Sequence, residues 1–392
     1  MTETTAAHPD IAAVRAEFPL LERLAYFQTG TYGLMAQSVL HRVMELIASF
    51  ESQAWAVREE TWGAARQAKE MLAARIGAQP AEVALTRNAT DGVNLVAAGI
   101  AWQPGDEIII SDQEHGAMNI PWRWAAQRTG AIVRRYRVEH DPEASLANVA
   151  ALITPRTRLI GTSWVTSPFG IRLPVREISK LARERGILSL VDGAQAFGAF
   201  NVDVREIGCD FFTSNGHKWL GGPKGTGFFW AHPDRLAELL PAHVGAGSTE
   251  RFDFEKGLTF PLAGKRFEFG TDHFHLQAGL IPALEWFDQL GWDWVEARIA
   301  RLSTCLKEEV ARVPGVTVRT PLAWERSSGL TNFEAEGADA RALWEYLRDR
   351  WRVLVVPLGQ HRLRVSTAYF NTEDEIDRLV SGVRAFLAGA AG

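Results

Sequence analysis

Cysteine is scarce in this sequence, and nothing in its placement indicates a metal site. The 392 residues include two cysteines, Cys209 and Cys305, each in an apolar stretch and neither in a zinc-type spacing. His273 and His275 alternate as on a strand, and two histidines at that spacing are a weak metal signal. We therefore expect no bound metal and a reducing, cytoplasmic environment.

Long apolar runs and basic runs are also missing. The longest apolar stretches, such as residues 353–356, are far too short to cross a bilayer. The first ten residues lack the basic and apolar segments of a signal peptide. With 42 Lys and Arg against 47 Asp and Glu, the net charge is −5, without the basic footprint of a nucleic-acid-binding protein. We therefore expect a soluble protein that binds neither membranes nor nucleic acids.

Nucleotide-binding fingerprints are absent as well. The glycine-rich stretch at residues 221–227 has no Gly-x-x-x-x-Gly-Lys-Ser/Thr spacing, and no dinucleotide fingerprint follows the first strand. These glycines suit tight turns of the chain. The pattern argues against a nucleotide-binding Rossmann enzyme.

What the sequence does contain is a regular alternation of short apolar strands and helices between residues 82 and 212. This spacing predicts an α/β fold with a mostly parallel sheet flanked by helices. Beyond residue 312, short strands with helices near 338–350 and 373–388 predict a small α+β domain. The expected divisions are an N-terminal helical arm (1–22), a large domain (23–275), and a linking helix near 276–312 with the small C-terminal domain (276–392).

Two charged residues follow neighbouring strands at the centre of this pattern. Asp192 ends the apolar run 187–191, and Lys218 comes shortly after the run 209–212. Both can face the crevice at the carboxyl ends of the strands, where open α/β sheets bind ligands. A lysine that forms a Schiff base and an acid that keeps a pyridine nitrogen protonated are what pyridoxal 5′-phosphate (PLP) requires.

This central stretch, with Asp192, Gln195 and Ser214-Asn-Gly-His-Lys218, resembles the class V aminotransferase and cysteine desulfurase family. Further motifs extend the resemblance along nearly the whole chain in the family's order. It implies a fold type I PLP-dependent enzyme, with Lys218 as the Schiff-base lysine and Asp192 below the pyridine nitrogen. It also implies an obligate homodimer with shared sites.

The resemblance further assigns contacts with the cofactor. Thr90 is a plausible helix N-cap, and a helix N-terminus is a ready phosphate site. His115 is expected to stack on the ring and to move protons, and Gln195 to reach the phenolic oxygen. The phosphate contacts are expected from Ala89, Thr90, Asn215 and His217 and, reaching across the dimer to the partner's phosphate, from Gly270 and Thr271.

Substrate contacts are implied at the two ends of the chain and at one central turn. Arg364, within Arg364-Val-Ser-Thr-Ala-Tyr-Phe-Asn371, suits an α-carboxylate because guanidinium and carboxylate pair through two hydrogen bonds. Arg362 shares that strand face by alternation, so the register could differ by two residues. Thr31, Tyr32 and Ser167 are expected near the substrate.

The sequence departs from the family's desulfurases in one respect. Those enzymes carry a persulfide-forming cysteine shortly before the carboxylate-binding arginine, whereas residues 356–364 contain no cysteine. The Thr-Ser-Pro turn at Ser167 and Asn215 favour the isopenicillin N epimerase-like branch, and His115 favours the desulfurase or lyase branch.

We therefore expect an enzyme that acts at Cα of an amino acid through a Schiff base and a quinonoid, as a transaminase or epimerase. The alternative is a C–S or other β-lyase without the persulfide cysteine. A binding protein that has lost turnover is a third possibility, and the intact Lys218, Asp192 and Arg364 argue against it.

Overall fold

A computed structural model describes residues 9–389, in which helices and strands alternate through most of the chain. The strands are β1 (Ala25–Tyr26), β2 (Val83–Thr86), β3 (Glu107–Ser111), β4 (Ile132–Tyr136), β5 (Thr157–Ser163), β6 (Leu188–Asp192), β7 (Phe211–Asn215), β8 (Gly227–Ala231), β9 (Arg251–Asp253), β10 (Gly257–Thr259), β11 (Val316–Val318), β12 (Leu330–Ala335), β13 (Val353–Leu354), β14 (Val356–Leu358) and β15 (Arg362–Ser366). The helices are α1 (Ile11–Ala16), α2 (Gln37–Gln53), α3 (Arg58–Arg75), α4 (Ala89–Gly99), α5 (Gly116–Thr129), α6 (Pro142–Leu152), α7 (Val175–Glu184), α8 (Val204–Ile207), α9 (Phe274–Ala278), α10 (Leu280–Leu290), α11 (Trp292–Ala311), α12 (Ala340–Trp351) and α13 (Glu373–Leu387).

A seven-stranded sheet in the order β2-β8-β7-β6-β5-β3-β4 forms the centre of the fold. Strands β4, β3, β5, β6 and β7 are parallel, and β8 is antiparallel to both of its neighbours. The predicted mostly parallel α/β sheet is therefore confirmed. The carboxyl ends of β2, β3, β5, β6 and β7 all lie at one edge of the sheet, as parallel strand direction requires.

The core lies on both faces of this sheet because side chains alternate along each strand. Phe211 and Phe229 stack with ring centroids 6.1 Å apart on the face covered by α4 and α5. Phe212 and Phe228 lie 6.1 Å apart on the opposite face, which α3, α7 and α10 cover. All four rings are fully buried, and each contributes about 1.5–3 kcal/mol by burial. The strands around the segment that carries Lys218 are thus held from both sides.

A four-stranded antiparallel sheet in the order β11-β12-β15-β14 packs against α12 and α13 near the C-terminus. The short strand β1 pairs in parallel with β13, and Gln28 forms a bridge with Ser366. Residues 25–28 therefore pair with the C-terminal region, although the predicted domain division assigned them to the large domain. The predicted boundary at residue 275 lies within α9, and the division into domains stays a prediction.

Two predicted helices are broken in the structure. Within the predicted N-terminal helical arm (1–22), the described residues form α1 followed by a 3₁₀ turn at Pro19–Glu22, because proline lacks the N–H that would continue the α-helix. The single helix expected over 276–312 is wrong. It is replaced by α9, α10 and α11, which are separated at Gly279 and at Gly291 with its φ of 83°. His273 and His275 lie at the start of α9, and not on a strand.

No helix within residues 9–389 is both long and apolar enough to cross a membrane.

Candidate active site

A cleft of about 440 Å³ opens at the carboxyl edge of the central sheet. The predicted site residues that line it come from both ends of the chain and from its middle. They are Thr31, Tyr32, Ala89, Thr90, His115, Ser167, Asp192, Gln195, Asn215, His217, Lys218 and Arg364. Gly270 and Thr271 are exposed and lie outside the cleft of this chain, so their predicted contact with a partner's phosphate stays a prediction.

Lys218 follows β7 and extends into the cleft. Removal of its amine from water lowers the pKa of Lys218 to about 8, with Asp192 opposing this change and Arg364 adding to it. About a tenth of the amine is then uncharged at neutral pH, and only the uncharged amine is nucleophilic. The chain passes closely here, because a Cβ on Gly33 would lie 1.8 Å from the Lys218 carbonyl oxygen.

Asp192 ends β6 and is buried, with 4% of its surface exposed. Its Oδ1 accepts a hydrogen bond from the Ala194 N–H at 2.8 Å. Burial raises the pKa of Asp192, and the nearby Lys218 opposes that rise. A buried carboxylate of this kind holds a cationic or N–H group strongly, because the local dielectric constant is low.

The N-terminus of α4 forms one wall of the cleft. Asn88 is its N-cap, with Oδ1 accepting from the Asp91 N–H at 3.0 Å. The predicted cap at Thr90 is therefore wrong. The extended backbone of Asn88 lets its side chain reach the third amide, whereas Thr90 already lies in the first turn. Thr90 lines the cleft at this point, where the helix favours an anion.

Asn215 and His217 each have one polar atom already engaged. The Asn215 Oδ1 accepts from the Ala89 N–H at 3.0 Å, which leaves its amide NH₂ to act as a donor. The His217 Nδ1 lies 3.0 Å from the Thr226 carbonyl oxygen, so Nδ1 carries the proton in the neutral ring. Burial, with Lys218 and Lys224 nearby, lowers the pKa of His217. Its Nε2 must therefore gain a proton before it can donate to an anion.

Lys224 is a cleft residue that sequence reasoning missed. Its Nζ donates to the Gly33 carbonyl oxygen at 2.7 Å, and burial lowers the pKa of Lys224. The only sequence signal was a lysine within the glycine-rich stretch that follows Lys218. Its position next to His217 places a second lysine, after Lys218, on this side of the cleft.

Gln195 is fixed in orientation by two partners. Its Oε1 accepts from the Trp219 indole N–H at 2.8 Å, and its Nε2 donates to the Gly30 carbonyl oxygen at 2.9 Å. Because the indole can only donate, the oxygen must face Trp219. One N–H of the Gln195 amide is left to donate into the cleft. The role of Trp219 could not be read from the sequence, since it depends on this tertiary contact.

Residues 28–33, which we call the N-terminal segment, are tied to both sheets. Gly33 donates its N–H to the His217 carbonyl oxygen at 2.9 Å. Thr31 Oγ1 accepts from Arg364 Nη2 at 2.7 Å. Together with the bonds from Gln195 and Lys224, these contacts make the segment a fixed wall of the cleft.

Arg364, and not Arg362, points into the cleft. Its Nη1 donates to the Ser167 hydroxyl at 2.9 Å, and Nη2 donates to Thr31. Burial lowers the pKa of Arg364 to about 10, so it stays charged at neutral pH, and no acidic side chain within residues 9–389 pairs with it. Arg362 instead lies over the Phe169 ring at 4.9 Å. A buried guanidinium held by two neutral hydroxyl groups is a suitable site for a carboxylate.

His115 is the N-cap of α5. Its Nδ1 accepts from the Ala117 N–H at 3.1 Å, so the neutral ring carries its proton on Nε2. Burial, Lys218 and Arg364 all lower the pKa of His115. Tyr32 is 57% exposed, and its carbonyl oxygen accepts from the Tyr26 hydroxyl at 2.6 Å. The backbone of Tyr32 is thus held while its side chain lies at the cleft.

Comparison with known proteins gives a consistent result. The family model for aminotransferase class-V matches residues 29–386. Isopenicillin N epimerase of Streptomyces clavuligerus is 35% identical over 382 residues, which cover 91% of this chain and 93% of that protein. Probable cysteine desulfurase 2 of Mycobacterium leprae is 31% identical over 406 residues, covering 95% of this chain and 96% of that protein.

Among solved structures, a lysine-to-alanine mutant of C-DES with glycine covalently linked to its PLP cofactor superposes with a TM-score of 0.88. It is 27% identical, and the match covers 96% of this chain and 99% of that one. The family predicted from the motifs around Lys218 is therefore confirmed. The chain belongs to the aminotransferase class-V family.

Proposed function

We propose that this protein is a PLP-dependent enzyme that acts at Cα of an amino acid. The observation that carries the proposal is the pairing of Lys218 with the buried Asp192 in the same cleft as Arg364, which no acidic side chain within residues 9–389 neutralises. When bound, PLP supplies an electron sink for the bonds at Cα. The donor set fits this cofactor, because a nucleophilic amine, an acid and an anion site are all present.

Each residue around the cofactor is assigned a contact according to the polar atom that its own hydrogen bonds leave free. The phosphate would be held at the α4 N-terminus by Thr90, with the Asn215 amide and a protonated His217 as further donors. Ala89 lines the same wall, but its N–H is already engaged by the Asn215 Oδ1. Lys224 supplies positive charge on the same side. Asp192 would accept from the ring nitrogen, and the free N–H of Gln195 would donate to the phenolic oxygen. His115 would cover one ring face.

The substrate is positioned by its α-carboxylate. Arg364 binds this group, and the hydroxyls of Ser167 and Thr31 hold the guanidinium fork in place. The free Lys218 amine would remove or return the proton at Cα. Its pKa near 8 suits a base that works at neutral pH.

We propose transamination or epimerisation as the reaction type, with β-elimination as the second candidate. The 35% identity with an isopenicillin N epimerase favours the first, and the desulfurase relatives support the second. The structure around residues 356–364 argues against a persulfide relay, because β14 and β15 form a hairpin joined by residues 359–361 alone. Cys209 is buried, and burial raises the pKa of its thiol.

Epimerisation needs a proton carrier on the face opposite Lys218. Proton transfer at the His115 Nε2 would move a proton to Nδ1 and break the cap of α5, which costs about 1 kcal/mol. A cost of this size would slow proton transfer by His115 without excluding it. Tyr32 carries no such constraint on its hydroxyl, and we propose it as the preferred second acid.

We also propose a homodimer in which Gly270 and Thr271 reach the partner's cofactor phosphate. In the stretch that precedes this segment, residues 252–269, several large apolar side chains are exposed, among them Phe254 at 94% and Leu262 at 69%. Apolar surface of this extent commonly marks an interface.

An absorption spectrum with PLP tests the proposed function. We expect a visible band from Lys218-bound cofactor that changes when amino acids are added, and we expect Lys218→Ala to lack it. Lys180→Ala is the control, because it removes an exposed lysine on α7 that lies outside the cleft and should leave the band. A wild-type protein that shows no band with added PLP would refute the proposal.

The fate of a responsive amino acid then separates the reaction types. Transfer of its amino group to a 2-oxo acid identifies a transaminase. Solvent deuterium at Cα with inversion and no net loss of substrate identifies an epimerase. Release of a 2-oxo acid together with the side-chain leaving group identifies a β-lyase.

A further inference from the structure

Glu114 is a buried carboxyl group beside the candidate site that the proposed function does not use. It lies between β3 and α5, directly before His115. Its Oε1 accepts from the Ser111 hydroxyl at 2.7 Å and from the Ser163 N–H at 3.0 Å, and its Oε2 lies 2.5 Å from the Ser163 hydroxyl. No basic side chain within residues 9–389 forms a hydrogen bond or ion pair with Glu114.

Ser163 connects this carboxyl to the floor of the cleft. It is the last residue of β5 and is the direct neighbour of Asp192 across the β5–β6 pair. Ser163 and Asp192 both line the cleft, whereas Glu114 lies behind them. Two buried carboxyl groups therefore flank one serine, and the nearby cation, Lys218, acts on Asp192.

The other ionisable groups around Glu114 do not neutralise it. From β4, Tyr136 faces it, with its hydroxyl hydrogen-bonded to Thr162 at 2.8 Å, and the charge of Glu114 raises the pKa of Tyr136 further. Asp112 and His115 lie in the same loop as Glu114, and Asp112 is acidic as well. Asp192, on β6, repels a charge on Glu114. The surroundings are thus acidic or neutral at neutral pH.

Burial raises the pKa of Glu114 to about 7, with Asp192 adding to the rise and the hydrogen bonds from Ser163 and Ser111 limiting it. The carboxyl therefore changes charge in the range where the protein would work. A charge gained at Glu114 disfavours a charge on Asp192, because like charges in a dry site repel.

We propose that Glu114 is a positioning residue that acts through Ser163 and Asp192 to adjust the field at the cofactor's ring nitrogen. A charged Glu114 makes the site more negative and favours protonated, cationic forms of the bound cofactor. A protonated Glu114 is neutral and removes that influence, so that of the two carboxyl groups Asp192 alone acts on the ring nitrogen. This role rests on the proposed function, because it needs PLP in the cleft.

A pH titration of the visible band in the PLP-loaded protein tests the role. In the wild type, the visible band should change with pH in a distinct step whose midpoint lies near the Glu114 pKa of about 7. Glu114→Gln keeps the size of the side chain and should lose that step. The matched control is Glu206→Gln, which removes an exposed carboxylate from an ion pair with Arg176 and should leave the profile unchanged.

A second variant covers the case in which Glu114→Gln fails to fold. Ser163→Ala removes one hydrogen bond to the charged carboxylate, so the step should move to higher pH. Identical profiles in wild type and Glu114→Gln, or an unmoved step in Ser163→Ala, would overturn the role of Glu114 while leaving the proposed function intact. A wild type without any visible band would instead overturn the proposed function, and this role with it.

Discussion

Hydrogen bonds inside the cleft decide which atom of each side chain is left for a ligand. Gln195 and Asn215 have their amide oxygens engaged, which leaves N–H groups of both amides to donate to a ligand. His217 presents Nε2 without a proton until an anion raises its pKa. These preferences match a cofactor that offers oxygen acceptors, and they could not be derived from residue types alone.

The choice between Arg364 and Arg362 can be tested directly. Arg364→Lys should weaken amino-acid binding roughly ten- to hundredfold, since a hydrogen bond to a charged group contributes about 1.5–3 kcal/mol and lysine cannot form the paired contact. The visible PLP band before substrate addition should be unchanged. Spectral titration with the amino acid measures the affinity.

Arg362→Lys serves as the control, because Arg362 packs on Phe169 outside the cleft. The assignment fails if Arg362→Lys weakens binding and Arg364→Lys does not.

The pH dependence of cofactor capture follows from Lys218. Its nucleophilic form increases as pH rises toward the pKa of about 8, so the rate at which the unloaded protein takes up PLP should rise with pH and level off above that value. Asp192 raises the pKa of Lys218. Asp192→Asn should therefore move the plateau to lower pH, as followed by stopped-flow absorbance. A plateau that moves to higher pH would contradict this coupling.

At the scale of elements, the N-terminus of α4 contributes both to the stability of the fold and to the predicted binding of PLP. Asn88→Ala removes the cap and should lower the free energy of unfolding by about 1 kcal/mol. It should also weaken PLP binding, because the cap fixes the first turn of α4, where Thr90 is predicted to hold the phosphate. Thermal unfolding of the unloaded protein and a PLP titration measure the two effects.

Asp141 provides a matched cap outside the cleft, at the start of α6. Asp141→Ala should lower stability by a similar amount and leave PLP affinity unchanged. Equal loss of affinity in both variants would mean that the effect is one of general stability.

Most strands and helices could be predicted, and the misses have local causes. The apolar pattern continues through Gly279 and Gly291, which hid the two breaks between α9 and α11. Asn88 and Thr90 are both good capping residues two positions apart, so sequence could not choose between them. Strand β8 begins at Gly227, inside a stretch whose glycines indicated turns. Lys224 and Trp219 act through residues distant in sequence, which only the fold brings together.

For the whole molecule, the predicted homodimer gives a mass of twice 43.4 kDa by light scattering. Phe254 is 94% exposed on the β9–β10 hairpin, in ring contact with Phe252. If this surface is the interface, Phe254→Ser should shift the protein toward monomer on dilution and lower its PLP affinity, because Thr271 would leave the partner's site.

Leu322→Ser removes a comparable exposed side chain, which is 53% exposed in the loop between β11 and β12, and should leave the mass unchanged. A wild type that is monomeric at every concentration and still binds PLP would rule out the shared site.

The N-terminal segment has a consequence for attempts to change the protein's specificity by mutagenesis. Because residues 28–33 contact Arg364 on one side and His217, Gln195 and Lys224 on the other, a substitution there alters the substrate and cofactor ends together. Gly33 accepts no side chain at all, since the Lys218 carbonyl oxygen occupies that space. Libraries that vary Tyr32 while keeping Gly30 and Gly33 should therefore retain far more folded, PLP-binding members than libraries that vary the whole segment.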